Sequence, residues 1–380
     1  MDWDALRAAE FPVARRWAFF DHASVSPLPR RAGDAVRAWA ADLEENGNVG
    51  WLAQDRRLSE VRGQIARLLN ADAEEVAFVG NTTLGIGLVA EGFPWRVGDN
   101  VVSAADEYPS NVFPWMNLEG RGVTLRAVPG RDGRIALDDL AAAIDGRTRM
   151  LAISHVEFAS GFRNDLDALS TLCRDRGVAL FVDVIQGLGP LTLDVRRTPI
   201  DFLAGNGQKW LLGPEGTGYL YVRREWFDRL RVLGVGSGSV VGTFNDPAPA
   251  LALKPDARRW EGGARNTVGL HGLGASLDLL LDIGPEAVSA RILDRAEAVR
   301  ELAAAAGWSV YGPTRPEERS GIVCLECPGV DPDAFARRMR ERGVVLSSRR
   351  GRVRVSPHIY NDADDLGRLA DGLGSARPDR

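Results

Sequence analysis

Lysine is scarce in this chain of 380 residues: only Lys209 and Lys254 occur, although lysine and arginine together number 47. A neutral amine can attack a carbonyl carbon and form a Schiff base, whereas a guanidinium group stays protonated and cannot. Lys209 lies in the largely apolar segment 201–222, and removing its amine from water would lower its pKa. The sequence therefore predicts that Lys209 is a catalytic amine, and we interpret Lys254 as an ordinary surface residue.

A carboxylate ends one of the apolar runs: Asp183 closes the segment 178–184. A carboxylate at the end of a buried strand is costly unless a cation pairs with it. The protonated ring nitrogen of pyridoxal phosphate is such a cation, and a carboxylate beside it makes the ring an electron sink. The other interpretation is that Asp183 caps the next helix.

Two further features have the chemistry of anion binding. Thr82 and Thr83 lie between a predicted strand and a predicted helix, where hydroxyls and free backbone N–H groups bind phosphate; as a helix cap, the same threonines need no ligand. Strand alternation puts Arg352 and Arg354 on one face, where an arginine directed into a site would bind a substrate carboxylate through two hydrogen bonds. The alternative for these arginines is a solvated strand face.

Strands and helices alternate in the first half of the chain, and buried parallel strands read as near-continuous apolar runs. In that half we predict strands at 75–79, 100–103, 123–128, 148–155, 178–184, 200–204 and 218–222. The helices there are predicted near 31–45, 57–70, 109–120, 136–145 and 165–176, and segment 80–90 is predicted as a turn followed by a helix. The last two strands are close enough for a hairpin, so one antiparallel strand is expected. Ligands of such sheets bind at the carboxyl ends of the strands, where the features above converge.

The second half of the chain has a different pattern of predicted elements. Residues 231–242 and 245–250 are predicted as loops. Further helices are predicted near 268–283, 285–306, 332–342 and 363–373, with strands at 309–311, 322–326, 344–346 and 352–356. Given the length of the chain, we predict two domains, residues 15–265 and 266–380, with residues 1–14 packing against the second.

Composition excludes several classes of function. The formal charge of −5 argues against nucleic-acid binding, which needs a basic surface. No apolar run reaches the roughly 18 residues of a membrane span, and the N-terminus lacks the apolar core of a signal peptide. We therefore expect a cytoplasmic protein with no membrane partner.

The cysteines and histidines do not predict a metal site. Cys173, Cys324 and Cys327 are too few for a disulfide framework. The C-x-x-C pair supplies only half a zinc site, so we interpret both cysteines as structural. The four histidines are far apart in sequence. The glycines of 234–238 resemble a dinucleotide fingerprint only faintly, and we interpret that segment as a flexible loop that could act as a lid.

Together these motifs resemble the class V aminotransferase family of fold type I pyridoxal-phosphate enzymes, over about 20–361. The segments that carry the resemblance are 20–29, 182–189, 207–218 and 354–365. The resemblance implies an α/β fold, with a mostly parallel seven-stranded sheet in the large domain and a smaller C-terminal α+β domain. It also implies a homodimer with shared active sites, in which the neighbouring subunit contributes segment 259–267 to the phosphate site.

The resemblance assigns a role to each candidate residue. Lys209 would hold the cofactor as a Schiff base and move the Cα proton, and Asp183 would pair with the ring nitrogen. The other assignments are phosphate binding by Thr82 and Thr83, the ring hydroxyl region for Gln186, ring stacking for Tyr108, and the substrate α-carboxylate for Arg354.

Three departures from the family pattern bear on the reaction. Gln208 stands where many relatives have histidine, so it is expected to bind phosphate but not to act as an acid. The segment 345–352 lacks the mobile nucleophilic cysteine of desulfurases. Ala264 stands where many relatives have the threonine that reaches the neighbouring subunit's phosphate, and Thr267 comes three residues later.

The motif residues serve several reactions of one cofactor. Because the desulfurase cysteine is missing, we expect an aminotransferase or epimerase acting on an amino acid. The alternative is a β-eliminating C–S lyase, which needs no cysteine of its own. More distant alternatives are an NAD-type oxidoreductase and a non-catalytic α/β ligand-binding protein.

Overall fold

The computed structural model describes residues 1–242 and 250–376. Its strands are β1 (Ala18–Phe19), β2 (Val76–Val79), β3 (Asn100–Ala104), β4 (Thr124–Val128), β5 (Thr148–Ser154), β6 (Ala179–Asp183), β7 (Phe202–Asn206), β8 (Gly218–Val222), β9 (Ser309–Tyr311), β10 (Val323–Glu326), β11 (Val344–Val345), β12 (Ser347–Arg349) and β13 (Arg352–Val355). Its α-helices are α1 (Trp3–Glu10), α2 (Arg30–Asn46), α3 (Trp51–Leu69), α4 (Thr82–Gly92), α5 (Phe113–Met116), α6 (Leu137–Ala143), α7 (Leu166–Arg176), α8 (Thr267–Ile283), α9 (Pro285–Ala305), α10 (Pro332–Glu341) and α11 (Ala363–Gly374).

A seven-stranded sheet forms the centre of the fold, in the order β2-β8-β7-β6-β5-β3-β4. Only β8 runs against its neighbours in this sheet, because it returns from β7 in a hairpin and pairs antiparallel with β2. The strands β5 to β8 are buried almost throughout, as expected of a sheet covered by helices on both faces. The predicted mostly parallel seven-stranded sheet and its one antiparallel strand are confirmed.

Two smaller sheets lie in the C-terminal part. An antiparallel sheet has the order β12-β13-β10-β9, and β1 near the N-terminus pairs in parallel with β11. Helix α1 lies nearby, since Arg7 forms an ion pair with Asp365 at 2.7 Å and the ring of Phe11 stacks on Tyr360 at 4.1 Å. These contacts join the N-terminal segment to the C-terminal part, while the division near residue 265 stays a prediction.

One predicted helix was wrong. The segment 109–120 forms a 3-10 turn, the four-residue helix α5 and a second 3-10 turn. Pro109 and Pro114 explain the break, because proline has no N–H for a helical hydrogen bond and its ring clashes with the preceding turn. Helix α3 also begins earlier than predicted, at Trp51, because its exposed first turns carry little of the apolar spacing.

The glycine-rich segment 234–238 lies against residue Gly262, whose carbonyl accepts a hydrogen bond from the Gly238 N–H at 2.6 Å. The Lys254 ammonium donates to the Gly238 carbonyl at 2.6 Å, so this lysine has a structural contact in the loop. The predicted loop 245–250 lies mostly outside the described residues. Within residues 1–242 and 250–376, no helix is long and apolar enough to cross a membrane.

Candidate active site

The site lies at one edge of the seven-stranded sheet, where parallel strands end together. Strand β6 ends at Asp183, β2 leads into the N-terminus of α4, and the loop after β7 carries Lys209. Gly218, at the start of β8, lets this strand pack closely against the backbone of Asn81, because a Cβ at position 218 would lie only 2.7 Å from the Asn81 Cα. The edge therefore brings the predicted amine, the predicted carboxylate and the predicted phosphate loop into one region.

The Lys209 side chain is largely buried, and its Nζ lies 5.6 Å from the centre of the Tyr108 ring. Burial lowers the pKa of this amine to about 8, with further lowering by the Arg354 cation and an opposing effect of the Asp183 carboxylate. Within the described residues, its Nζ makes no hydrogen bond or ion pair. An amine with this pKa is partly neutral near neutral pH, as a nucleophile or proton acceptor must be.

The Asp183 carboxylate is 2% exposed and accepts a hydrogen bond from the Ile185 N–H at 2.9 Å. Burial raises its pKa to about 6, while the Ile185 N–H and the Lys209 cation oppose the rise. A buried carboxylate in this state gains from a cationic partner. Within the described residues, no ion pair supplies one.

Two carboxylates not singled out in the sequence lie behind Asp183. Glu107 accepts a hydrogen bond from the Ser154 N–H at 2.5 Å, and Ser154 is the strand neighbour of Asp183. Burial raises the pKa of Glu107 to about 7, and burial also raises that of Glu157 well above its usual value. Because Glu107 and Glu157 lie in loops just after strands, where glutamate is common, they give no local sequence signal, and only the assembled strands reveal this cluster.

The N-terminus of α4 presents donors without partners. The Asn81 side chain caps the helix by accepting from the Leu84 N–H at 2.9 Å, while the buried Thr82 hydroxyl has no partner among the described residues. Thr83 donates to the Ser110 hydroxyl at 2.7 Å. The Thr82 hydroxyl can donate to a phosphate group at this helix N-terminus. The side-chain oxygen of Gln208 is also buried without a partner in the described structure, but an amide oxygen only accepts hydrogen bonds, so a contact of Gln208 with phosphate needs its amide N–H group.

Arg354 is the buried cation of the site, 1% exposed. It donates to the Phe158 carbonyl at 3.2 Å and to the Ser24 hydroxyl at 2.7 Å, and its nearest carboxylate is Asp21 at 3.6 Å. Burial lowers its pKa to about 10, and its Nε has no partner within the described residues. The remaining donors of this guanidinium suit a carboxylate ligand.

Gln186 lies in the wall behind the site rather than free in it. Its amide nitrogen donates to the Ala23 carbonyl at 3.0 Å, and its oxygen accepts from the Trp210 indole at 2.8 Å. One amide N–H is left over for another acceptor. The expected contact of Gln186 with the ring hydroxyl region therefore stays a prediction.

Tyr108 forms a second wall. It lies in the loop after β3 and meets the Phe158 ring edge-on, with the ring centres 5.2 Å apart. Nearly half of its surface is exposed, which leaves one ring face available for stacking. The structure thus places Tyr108 where its ring and the Lys209 amine face the same space.

The thiols are not arranged for nucleophilic attack. Cys324 lies opposite Arg354 on the neighbouring strand, is fully buried and has its pKa raised by burial to about 11. Burial also raises the pKa of Cys173 in α7 to about 12. Since only a thiolate is a strong nucleophile, neither of these cysteines has the state that persulfide formation needs, and Cys327 follows the end of β10.

Cavities alone do not identify the site. A cleft of about 760 Å³ beside α6 and α7 is lined by His155 but not by Lys209, Asp183 or Arg354. A cavity of about 340 Å³ lies between Gly80, at the phosphate loop, and the segment 262–266 of the same chain. The predicted partner-contributed segment therefore lies beside its own chain's phosphate loop, and its contribution to a neighbouring subunit stays a prediction.

The residues fit pyridoxal phosphate. The orphaned hydroxyl of Thr82 at the N-terminus of α4 suits its phosphate, whereas Gln208 can contribute there only through its amide N–H group. The unpaired Asp183 carboxylate suits its ring nitrogen, and the Lys209 amine suits its aldehyde. We find no described group of three His, Cys, Asp or Glu side chains with the geometry to hold a metal ion.

Comparison with known proteins agrees with this geometry. The sequence profile of the family described as aminotransferase class-V matches residues 18–369. A probable cysteine desulfurase of Methanothermobacter thermautotrophicus is 30% identical over 393 residues, which cover 96% of each chain. The apo structure of a cysteine desulfurase from Thermococcus onnurineus NA1 superposes with a TM-score of 0.89 at 24% identity, over 98% of this chain and 97% of that one. The cystine C–S lyase C-DES, in complex with its product cysteine persulfide, gives a TM-score of 0.90 at 23% identity, over 97% of this chain and 100% of that one.

Proposed function

The chain belongs to the class V aminotransferase family of pyridoxal-phosphate enzymes, and we propose that it is a lyase that cleaves the C–S bond of a cysteine-derived amino acid by β-elimination. The observation that carries the cofactor chemistry is the buried Lys209 amine, with its pKa lowered to about 8, near the buried Asp183 carboxylate. Relatives named cysteine desulfurase support carbon–sulfur chemistry.

Bound pyridoxal phosphate supplies an electron sink for the negative charge that develops at the substrate Cα. Lys209 would hold the cofactor through its amine, and this amine would accept the Cα proton of the substrate. Asp183 would pair with the ring nitrogen, because its buried carboxylate gains from a cation beside it. Arg354 binds the α-carboxylate and thereby orients the Cα–H bond towards Lys209.

The remaining residues hold the cofactor in place. Thr82, Thr83 and Gln208 would bind the phosphate at the N-terminus of α4, where backbone N–H groups favour an anion. Tyr108 would offer its free ring face for stacking, and Gln186 would form part of the wall of the site. These walls exclude water from the Lys209 amine, which keeps its pKa low.

The thiols favour elimination over desulfuration through a protein persulfide. No cysteine occurs in 345–352, and Cys324 is buried with a raised pKa. A structural neighbour, C-DES, is named a cystine C–S lyase. Amino transfer and epimerisation, which we expected first from the sequence, use the same residues and are the second candidates; the names of the relatives favour them less.

We propose in addition that the enzyme is a cytoplasmic homodimer with shared active sites. Large apolar side chains are exposed around the phosphate loop and α5, namely Leu84, Phe113 and Met116. A soluble monomer seldom exposes such a group together. A second copy of the chain covering it would also enclose the cofactor.

Incubation of the holoenzyme with cystine and S-substituted cysteines tests the reaction. We expect pyruvate, ammonia and a sulfur-containing product, because the Cβ–S bond breaks and the resulting enamine hydrolyses. A keto acid that retains the substrate side chain would support amino transfer, and Cα deuterium exchange without net turnover would support epimerisation. Either result without pyruvate would overturn the lyase proposal.

A further inference from the structure

Two arginines meet at one hydroxyl in the substrate region. A terminal nitrogen of Arg354 donates to the Ser24 hydroxyl at 2.7 Å, and a terminal nitrogen of Arg349 donates to the same oxygen at 2.8 Å. Arg349 ends β12 opposite Arg352, and Ser347 is opposite Arg354, so the hairpin between β12 and β13 puts Arg349 and Arg354 on one face of the sheet. Bringing two like charges to one neutral oxygen is unfavourable unless an anion compensates them.

The neighbouring carboxylate compensates only part of this charge. Asp21 accepts hydrogen bonds from Ser24 and Ser347 at 2.8 and 2.7 Å, and it lies 3.6 Å from Arg354. Among residues 1–242 and 250–376, the oxygens that accept from Arg349 are neutral, the Ser24 hydroxyl and the Ser348 carbonyl. No ion pair to Arg349 occurs among the described residues.

The other arginines of the same hairpin are neutralised. Arg350 forms an ion pair with Asp106, and Arg352 forms one with Glu326 at 2.6 Å. Arg349 is therefore the exception on this hairpin. Because Arg349 and Arg354 donate to the same Ser24 hydroxyl, Arg349 lies beside the arginine assigned to the substrate α-carboxylate, and its cation also contributes to the lowered pKa of Lys209.

We propose that Arg349 binds a second acidic group of the substrate, so that the enzyme selects amino acids with an acidic side chain or an acidic substituent on sulfur. This inference rests on the proposed function for the site but concerns the binding of the substrate. With the α-carboxylate on Arg354, a second carboxylate nearby meets the unpaired guanidinium of Arg349. Terminal nitrogens of Arg349 and Arg354 both lie within hydrogen-bond distance of the Ser24 hydroxyl. They are therefore close enough to bind the two acidic groups of one short ligand.

Calorimetric titration of the holoenzyme with two unreactive ligands tests this directly. Succinate carries two carboxylates, and succinamate is a neutral-amide isostere at one end. We expect succinate to bind about tenfold more tightly, since a charge-assisted hydrogen bond is stronger than a neutral one. Arg349→Gln should remove this preference, whereas Arg352→Gln, a charge-matched change on the same hairpin, should keep it.

Each outcome decides the proposal. Equal binding of the two ligands by the unmodified holoenzyme would overturn it, whatever the variants do. Loss of affinity for both ligands to the same extent in Arg349→Gln would also overturn it, because Arg349 would then share the α-carboxylate. Cofactor uptake and the unfolding midpoint of each variant show whether it is folded.

A kinetic comparison separates this inference from the proposed reaction. S-carboxymethylcysteine and its neutral isostere S-carbamoylmethylcysteine release the same pyruvate and ammonia by elimination. We expect the acidic substrate to have a KM about tenfold lower, with similar kcat, and the difference to vanish in Arg349→Gln. A preference in calorimetry without pyruvate from either substrate would contradict the lyase while supporting the anion site.

Discussion

At the scale of single residues, the environment of Lys209 combines opposing charges. Burial and the Arg354 cation lower the pKa of the amine, while the Asp183 carboxylate raises it, and the balance is a pKa of about 8. Arginine suits this surrounding because it supplies positive charge and never becomes a competing nucleophile. The near absence of lysine from the chain therefore has a chemical consequence: the site contains one amine able to attack a carbonyl.

The lowered pKa has a cost that can be measured in the cofactor-free protein. The pKa of Lys209 is about 8 in the folded state, against an ordinary value of 10.5. At neutral pH the folded state therefore binds this proton less tightly than the unfolded chain does, which lowers the free energy of unfolding. We expect Lys209→Met to raise the free energy of unfolding at pH 7 by about 1–3 kcal/mol. Because the unfolded chain binds more protons between the two pKa values, the difference should shrink as pH rises from about 8 to 10.5.

Urea unfolding across this pH range provides the measurement. Lys254→Met is the control: burial also lowers the pKa of Lys254, but its ammonium donates to the Gly238 carbonyl, and the loss of that hydrogen bond should cancel the gain. A Lys209→Met gain that does not change with pH would contradict the assigned environment of the amine.

The role of Asp183 can be tested by removing its charge. Asp183→Asn keeps the size of the side chain, so we expect the protein to fold and take up pyridoxal phosphate. Turnover should fall by at least about a hundredfold, because the amide no longer holds a proton on the ring nitrogen. Cofactor uptake is read from the visible absorbance, and turnover within a few-fold of the parent enzyme would refute this role.

Residue types explain why only part of the site was predictable. Lys209 and Asp183 stand out because each is a charged residue within an apolar strand or loop. Burying such a charge is unfavourable unless a partner, such as a bound ligand, compensates it. Ser24 and Arg349 give no such signal, since serines and arginines are common on surfaces and their meeting requires β12, β13 and the N-terminal segment to assemble. Glu107 and Glu157 were missed for the same reason.

At the scale of elements, α4 determines where the phosphate loop lies. Gly85 lets this helix approach the sheet, since a Cβ there would lie 2.9 Å from the Ala204 Cβ of β7. A Cβ at Gly87, half a turn further along the helix, would meet no atom within 4 Å. The close approach of α4 is therefore imposed at one position rather than along the whole helix.

These two glycines make a matched pair of variants. Gly87→Ala should raise the free energy of unfolding by up to about 1 kcal/mol, as alanine favours a helix interior. Gly85→Ala should lower it by about 1–3 kcal/mol, because the added methyl group pushes α4 from the sheet. It should also weaken cofactor binding in a spectral titration. Equal effects of both changes on cofactor affinity would contradict the packing account.

The elements were predictable wherever burial governs the sequence. Strands β5 and β6 read as apolar runs because helices cover both faces of the sheet, and β8 was expected to be antiparallel because the connection after β7 is short. The segment 109–120 was mispredicted because its apolar residues suggested a helix that Pro114 interrupts. Hydrophobic periodicity indicates which face of a segment is buried. It does not indicate at which residue the backbone hydrogen bonds of a helix end.

At the scale of the whole molecule, the proposed dimer explains an exposed apolar surface near the site. Phe113 is 64% exposed and Leu84 is 54% exposed, and both lie on helices that border the phosphate loop. Burying such side chains in an interface is favourable by about 1.5–3 kcal/mol each. Dimer formation would therefore couple the assembly of two chains to the closure of both sites.

Phe113→Asp tests this coupling. We expect the unmodified protein to sediment as a dimer in analytical ultracentrifugation and Phe113→Asp to shift towards monomer, with weaker cofactor binding. Val97→Asp is the control, since Val97 is 81% exposed but lies in the loop before β3. A monomeric parent protein with full cofactor affinity would refute the shared site.

The most direct test of the central claim is covalent trapping of the cofactor. The holoenzyme is reduced with borohydride and digested, and the pyridoxyl-labelled peptide is located by mass spectrometry. Because the chain has only two lysines, the result is nearly binary. The account predicts label on Lys209 and none on Lys254; label on Lys254, or a protein that takes up no pyridoxal phosphate, would contradict it.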